Sequence, residues 1–366
     1  TPGSPLVPRG VPSDRRAVPG SLLVPHRRPL GGGACRFRVF LGRLALPWGH
    51  VAPPGVSDGL CASFDEIRPT LEAMTSEPLR EFGVDSMAGE LRHVAMRRPG
   101  AILDCDYQRW HYSKPIDADA LQRQFEAFSA LLEADGATIH YIDAADDGLA
   151  DSVFTYDPSF TIPAGVVIMR PGKDLRADEA ALHARFYEGL MPVVGVIEEP
   201  GTIEGGDCVW LDPTTIAVGR GYRTNQSGIE QLAAIVEPYG ITVEAYDMPY
   251  FHGPEACLHL LSVVNPLDVD LALVYAPLVP VALYERMKDL GYELLHVPEE
   301  EFDVSGGLNL NVLPTRPRRC LAIDGFPQTK ALMESVGCDV TTFEADELCL
   351  PCEGGPTCLT RPLHRL

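Results

Sequence analysis

A recurrence constrains this chain more than any other feature. From about residue 88 onward, short apolar runs that read as strands alternate with runs of helical periodicity, in units of roughly 45 to 60 residues. LRHVAMRRP (91–99) predicts a strand ending before proline. Across Asp117–Ala134, the residues Ala118, Leu121, Phe125, Phe128, Leu131 and Leu132 fall at helical spacing, and Gly136 supplies a stop. ATIHYID follows as a strand, then SVFTYD and AGVVIMRPG as a strand pair, a helix across Ala177–Leu190, and a strand at VVGVIEE. TTIAVGRG, Ser227–Pro238 and ITVEAYDM repeat the order. So do DLALVYAP, VPVALYERMKDLG and ELLHVPE, and after them RRCLAIDG, PQTKALMESVG and DVTTFEA.

A doubly wound sheet is the usual product of alternating strands and helices. Two observations oppose it here. No G-x-G-x-x-G follows an early strand, and the turn between SVFTYD and AGVVIMR is too short for a parallel crossover. Strand pairs carrying one helix per unit suit a ring of small α/β modules, propeller-like, with loops from every unit converging on the axis.

The first 60 residues lie outside this pattern. They hold ten prolines, a GGG run at 31–33 and a net charge of +6, whereas the whole 366-residue chain carries -21. Such a composition cannot bury enough apolar surface to offset its ordering entropy. LVPRG at 6–10 resembles a protease-site linker, so residues 1–60 are expected to be a disordered, tag-like or non-native leader, with the true start nearer Met74 or Met87. Residues 61–87 are expected to be a linker and 88–366 a single catalytic domain. The acidic balance argues against nucleic acid or an anionic membrane as partner. No apolar run is long enough to span a bilayer. Ten scattered cysteines without a signal peptide point to reduced thiols and a cytoplasmic location.

Four segments present chemistry at strand ends. DSVFTYDP offers Asp151 and Asp157, GTIEGGD offers Glu204 and Asp207, ACLHLL offers His259, and EGGPTC offers Cys358. Each has a plain structural reading as well: aspartate before proline forms turns, and a histidine in an apolar run is often a satisfied core residue. Near the end, Cys349, Cys352 and Cys358 admit a metal site, a disulfide, or one reactive thiol with two bystanders.

Taken in order, Asp151-Ser-Val-Phe154-Thr-Tyr-Asp157-Pro, Arg170-Pro-Gly, Pro200-Gly-Thr-Ile-Glu204-Gly-Gly-Asp207, Gly219-x-x-x-Arg223-Thr-Asn225, Leu258-His259-Leu and Gly354-Gly-x-x-Cys358 resemble one family. It is the bacterial dimethylarginine dimethylaminohydrolase family, within the guanidine-modifying pentein superfamily that also holds arginine deiminases and amidinotransferases. The resemblance covers roughly residues 90 to 366 and implies a five-bladed α/β propeller of ββαβ modules. It implies Cys358 as nucleophile, His259 as acid and base, and Glu204 as the third catalytic residue. Asp157 and Glu204 would hold the planar cation through forked hydrogen bonds. Arg176 and Arg223 would clamp an α-carboxylate, and Asp151 and Phe154 would line the pocket.

The partner so implied is a small guanidino amino acid, with no cofactor and no metal; a homodimer is left open. Gly354 and Gly355 would let the backbone turn tightly before Cys358. The sequence departs from the family at Tyr156, where glutamate is usual, and at Ala177, where a second arginine often stands. Leu261 stands where deiminases and amidinotransferases carry aspartate, which favours the compact dimethylaminohydrolase-like branch. An amidinotransferase, a catalytically silent pentein binding module and a zinc site at Cys349, Cys352 and Cys358 remain as alternatives.

Overall fold

The structure, a computed structural model, describes residues 81–143, 148–254 and 258–366. The segment read as a leader, 1–60, and most of the linker lie outside the described residues. The domain starts earlier than residue 88, because Val84 and Met87 are buried in the core and Gly83 donates its N–H to the Leu363 carbonyl at 2.8 Å.

Among the described residues the strands form five three-stranded sheets. One holds β3 (Ser159–Ile162), β4 (Gly165–Ile168) and β5 (Val193–Val196), with helix α2 (Glu179–Tyr187) between the last two. The next holds β6 (Cys208–Asp212), β7 (Thr215–Arg220), α3 (Gln226–Val236) and β8 (Thr242–Asp247). It is followed by β9 (Val264–Pro266), β10 (Leu271–Val274), α4 (Val281–Asp289) and β11 (Glu293–His296). After a short helix α5 (Glu299–Ser305) come β12 (Leu313–Arg316), β13 (Arg319–Ile323), α6 (Pro327–Ser335) and β14 (Asp339–Phe343). The remaining sheet joins the two ends of the domain. Here β15 (Arg361–Arg365) pairs antiparallel with β1 (Leu91–Arg97), which pairs parallel with β2 (Thr138–Ile142) across α1 (Ala118–Ala134). Every sheet repeats one rule: the first pair is antiparallel and the second parallel.

The repeat was legible except for the first strand of each sheet. SVFTYD does not form a strand: Ala150–Val153 is a single tight helical turn, and the strand begins at Ser159. Strands β6, β9, β12 and β15 went unread for one reason. They are three to five residues long and almost wholly buried, so no polar-apolar alternation marks them. The third strands are far more exposed, as in β5 and β8, which places the first strands innermost.

Helix α1 shows how local sequence and packing agree. The Asp117 side chain accepts the Ala120 N–H at 3.0 Å and caps the start. Leu121, Phe125, Phe128 and Leu132 are fully buried on one face, each contributing about 1.5–3 kcal/mol. Phe128 stacks on Phe343 of the neighbouring blade at 4.8 Å, and Gly136, with φ +96°, turns the chain into β2.

Candidate active site

The segments that enter the five inner strands converge. A cavity of about 430 Å³ is lined by Asp157, from the turn before β3, and by Gly206, from the turn before β6. His259, before β9, Asn311, before β12, and Cys358, before β15, complete it. Each blade therefore supplies the same stretch of its module to one centre.

The E-G-G-D motif explains much of the geometry. Glu204 is fully buried; its Oε2 lies 2.6 Å from His259 Nε2, and its Oε1 accepts from Arg223 Nε at 2.9 Å and from the Gly172 N–H at 2.8 Å. Burial opposes ionisation of Glu204, yet the Arg223 guanidinium and the His259 ring hold its carboxyl well below the usual carboxylate range. A Cβ at Gly205 would overlap the Tyr156 carbonyl, and one at Gly206 would overlap the His259 ring. Gly206 also donates its N–H to Asp157 Oδ1 at 2.8 Å. Asp207 accepts from Thr224 Oγ1 at 2.6 Å and from the Leu260 N–H at 2.9 Å, which fixes the segment carrying His259. Burial pushes the Asp207 carboxyl up to about 6.

Cys358 is half-buried, and Asn311 Nδ2 donates to its Sγ at 3.1 Å. Asn311 Oδ1 accepts the Thr357 N–H at 3.0 Å, so one amide braces both the sulfur and its backbone. The glycines before the cysteine act otherwise than expected. The tight turn is made by Glu353, with φ +56°. Gly354 and Gly355 instead leave room for the Phe154 ring and the Asn311 side chain, which a Cβ would strike.

Cys349 and Cys352 do not form a metal-ligand group with Cys358. Among the described residues, the one group of three or more His, Cys, Asp and Glu ligand atoms within 4.8 Å of one another is Asp157, Glu204 and His259. These three already bond to each other or to Arg176, Arg223 and backbone N–H groups, an arrangement suited to a hydrogen-bonding cation. Burial pushes the Cys349 and Cys352 thiols up, so both remain protonated.

Other predicted residues take places that differ from expectation. Arg176 does not present a free fork for a carboxylate: it is buried and bonds to Glu179, Asp157 and the Phe154 carbonyl. Glu204 engages both oxygens within the protein, Oε2 with His259 Nε2 and Oε1 with Arg223 Nε and the Gly172 N–H. Arg223 lies at the cavity, bound to Glu204. Asp151 lines the cavity but takes Tyr112 Oη and Lys173 Nζ, each at 2.6 Å. The Tyr156 ring is buried, with the Arg361 guanidinium 3.6 Å from its centroid and its hydroxyl 3.9 Å from Met87 Sδ. Asn311 was missed, as an asparagine in the run Leu308-Asn309-Leu310-Asn311 carries no signature of its own. The fivefold rule was the signal that could have found it, since only one blade lacked a contributor.

Comparison with known proteins agrees with this geometry. Residues 145–293 match the arginine deiminase family model. The dimethylarginine dimethylaminohydrolase of Streptomyces coelicolor is 33% identical over 267 residues, spanning 71% of this chain and 95% of that protein. The chain belongs to the dimethylarginine dimethylaminohydrolase family. Among solved structures, the Pseudomonas aeruginosa dimethylarginine dimethylaminohydrolase in complex with citrulline superposes with a TM-score of 0.60 at 21% identity, over 74% of this chain and 99% of that one. An amidinotransferase of saxitoxin biosynthesis from Microseira wollei gives 0.61 at 17% identity, over 78% and 97%. Both share the five-bladed α/β propeller with this member of the dimethylaminohydrolase family. That fold serves hydrolysis and transfer alike, so the choice between them rests on the site.

Proposed function

We propose that this protein hydrolyses the guanidinium group of arginine or an Nω-methylated arginine, giving citrulline and ammonia or an alkylamine. The observation that carries the reading is the grouping of Cys358, the His259–Glu204 pair and the buried Asp157 around one cavity. A guanidinium carbon is electron-poor but resonance-stabilised, so attack by a strong nucleophile divides the reaction into two easier steps. Asp157 holds the cation, and Cys358 Sγ bonds to its carbon. His259 protonates the departing nitrogen as the C–N bond breaks, leaving a thiouronium on sulfur. Water then attacks this carbon while His259 takes its proton, and cleavage of the C–S bond releases the ureido product and the cysteine. Glu204, held anionic, stabilises the charged imidazole. A reducing, cytoplasmic setting belongs to this reading, because the nucleophile is a thiol. So does a single catalytic domain reaching from about residue 82 to the last strand; a homodimer would be compatible with it.

The test is product identification with arginine, monomethylarginine and dimethylarginine side by side. Citrulline is expected from at least one of them, and none from a folded Cys358→Ser chain. Transfer of an amidino group to glycine or lysine without a ureido product would replace hydrolysis by amidinotransfer.

A further inference from the structure

A second cavity lies on the ring axis, behind the catalytic one. It is lined by residues of every inner strand, among them Phe160, Trp210, Asn265, Leu313 and Arg361, and Arg365 lines it as well. Tyr156 and Thr357 line both cavities and so stand between them. Its volume of about 10 Å³ suits a single atom-sized occupant.

The two arginines are the unusual part of this lining. Arg361 and Arg365, both on β15, are 2% and 7% exposed. Arg361 Nη2 donates to the Tyr156 carbonyl and Arg365 Nη1 to the Gly89 carbonyl, and neither has an ion pair among the described residues. The buried carboxylates on the catalytic side are engaged elsewhere. Asp157 accepts from Arg176 and the Gly206 N–H, and Asp207 from Thr224 and the Leu260 N–H. Burial pushes the Arg365 guanidinium down to about 10, which leaves it charged at neutral pH. A charged arginine is almost never fully buried unpaired, because nothing then offsets its desolvation.

Three buried polar atoms of the lining residues have no hydrogen-bond partner: the donors Arg361 Nε and Trp210 Nε1, and the acceptor Asn265 Oδ1. The Asn265 amide is fixed in this sense, since its Nδ2 donates to the Leu310 and Val312 carbonyls at 2.9 and 2.6 Å. A water would answer two donors and one acceptor but would leave both guanidinium charges uncompensated. An anion answers the donors and the charges and leaves one carbonyl unserved. A buried charge without its counter-charge costs more than a carbonyl without a donor, so the anion wins. We propose that this axial cavity binds one monatomic anion of the halide class, chloride in ordinary salt, between Arg361, Arg365 and Trp210. The ion would tie the strand that closes the ring to β6 and brace Thr357, the neighbour of Cys358.

The test follows thermal unfolding of the full chain in sodium gluconate, with sodium chloride or bromide substituted stepwise at constant ionic strength. The wild-type Tm should rise with halide, as for any ligand held only by the folded state. Trp210→Phe keeps the ring but loses the N–H, and should need about tenfold more halide for the same rise, the scale of one hydrogen bond to a charge. Arg361→Met should show no halide response; should it fail to fold, the Trp210→Phe comparison decides. A crystal grown in sodium bromide should show anomalous scattering between Arg361 and Trp210. A wild-type Tm equal in gluconate and halide would overturn the proposal, and so would a Trp210→Phe response equal to the wild type. Water in place of bromide at that point would overturn it too. The site is independent of the proposed reaction, so the Cys358→Ser chain should respond to halide as the wild type does.

Discussion

The Asn311 amide reaches two points of the cysteine loop at once, donating to Cys358 Sγ and accepting from the Thr357 N–H. An N–H donor is a better partner for a thiolate than for a thiol. Asn311→Ala should therefore slow the chemical step by about 10–100-fold, the range of one hydrogen bond to a charged group. KM should change far less, and single-turnover kinetics would show whether kcat falls alone. At this scale the sequence was informative where a residue type carries its own chemistry. Cys358, His259 and Asp157 line one cavity, and Glu204 is bonded to His259 there. The surroundings of Arg176 were not readable, because a guanidinium suits a ligand carboxylate and a buried protein carboxylate equally well. Only the structure shows Glu179, fully buried, bonded beside it.

Between residues and blades, the elements that matter most are the short turns ahead of the inner strands. Gly206 lies in one of them, with the His259 ring against its α-carbon and its N–H on Asp157. Gly206→Ala should displace the histidine from Glu204 and lower kcat at least about 100-fold, the scale of lost general acid–base catalysis. The overpacking should cost about 1–3 kcal/mol of stability, measured by urea denaturation. Full activity in the alanine variant would show that the ring has room the structure does not display. The helices were readable by their amphipathic spacing, and buried second strands such as β4 and β10 by their continuous apolar runs. The inner strands β9, β12 and β15 were not, since proline and buried polar residues interrupt a run already short. The turns that carry the site inherit that silence.

Over the whole molecule, buried titratable groups set opposing trends with pH. Burial holds His183 well below its ordinary value and also lowers His93 and His140. Their unfolded forms take up protons first, so stability falls as pH drops below about 6.5. Glu179 and Asp207 are raised to about 7 and about 6, so the folded state holds their protons more tightly than the unfolded. Their contribution is complete below the unfolded values and is lost as pH rises through the folded ones. Glu179→Gln removes one such contribution. Its Tm should compare best with the wild type at pH 8 and worst at pH 5, a swing of up to about 3 kcal/mol; parallel Tm curves would contradict the assignment.

The ring closure makes a second prediction at this scale. Strand β15 is buried throughout, and the Leu366 N–H bonds to the Glu90 carbonyl at 2.9 Å. Deleting residues 361–366 should leave β1 without its antiparallel partner and abolish cooperative thermal unfolding.

That closure also orders events in time. Strand β1 emerges early from the ribosome, but its inner partner follows only after residues 98–360, on the order of ten to fifty seconds later at ordinary rates of synthesis. Cys358 lies three positions before β15, so the sulfur and the carboxylate of Asp157 are brought together in the same final interval that seals the ring. A nascent chain thus holds Asp157 and its bonded neighbours long before it holds Cys358, and completes the proposed site only as it acquires strand β15.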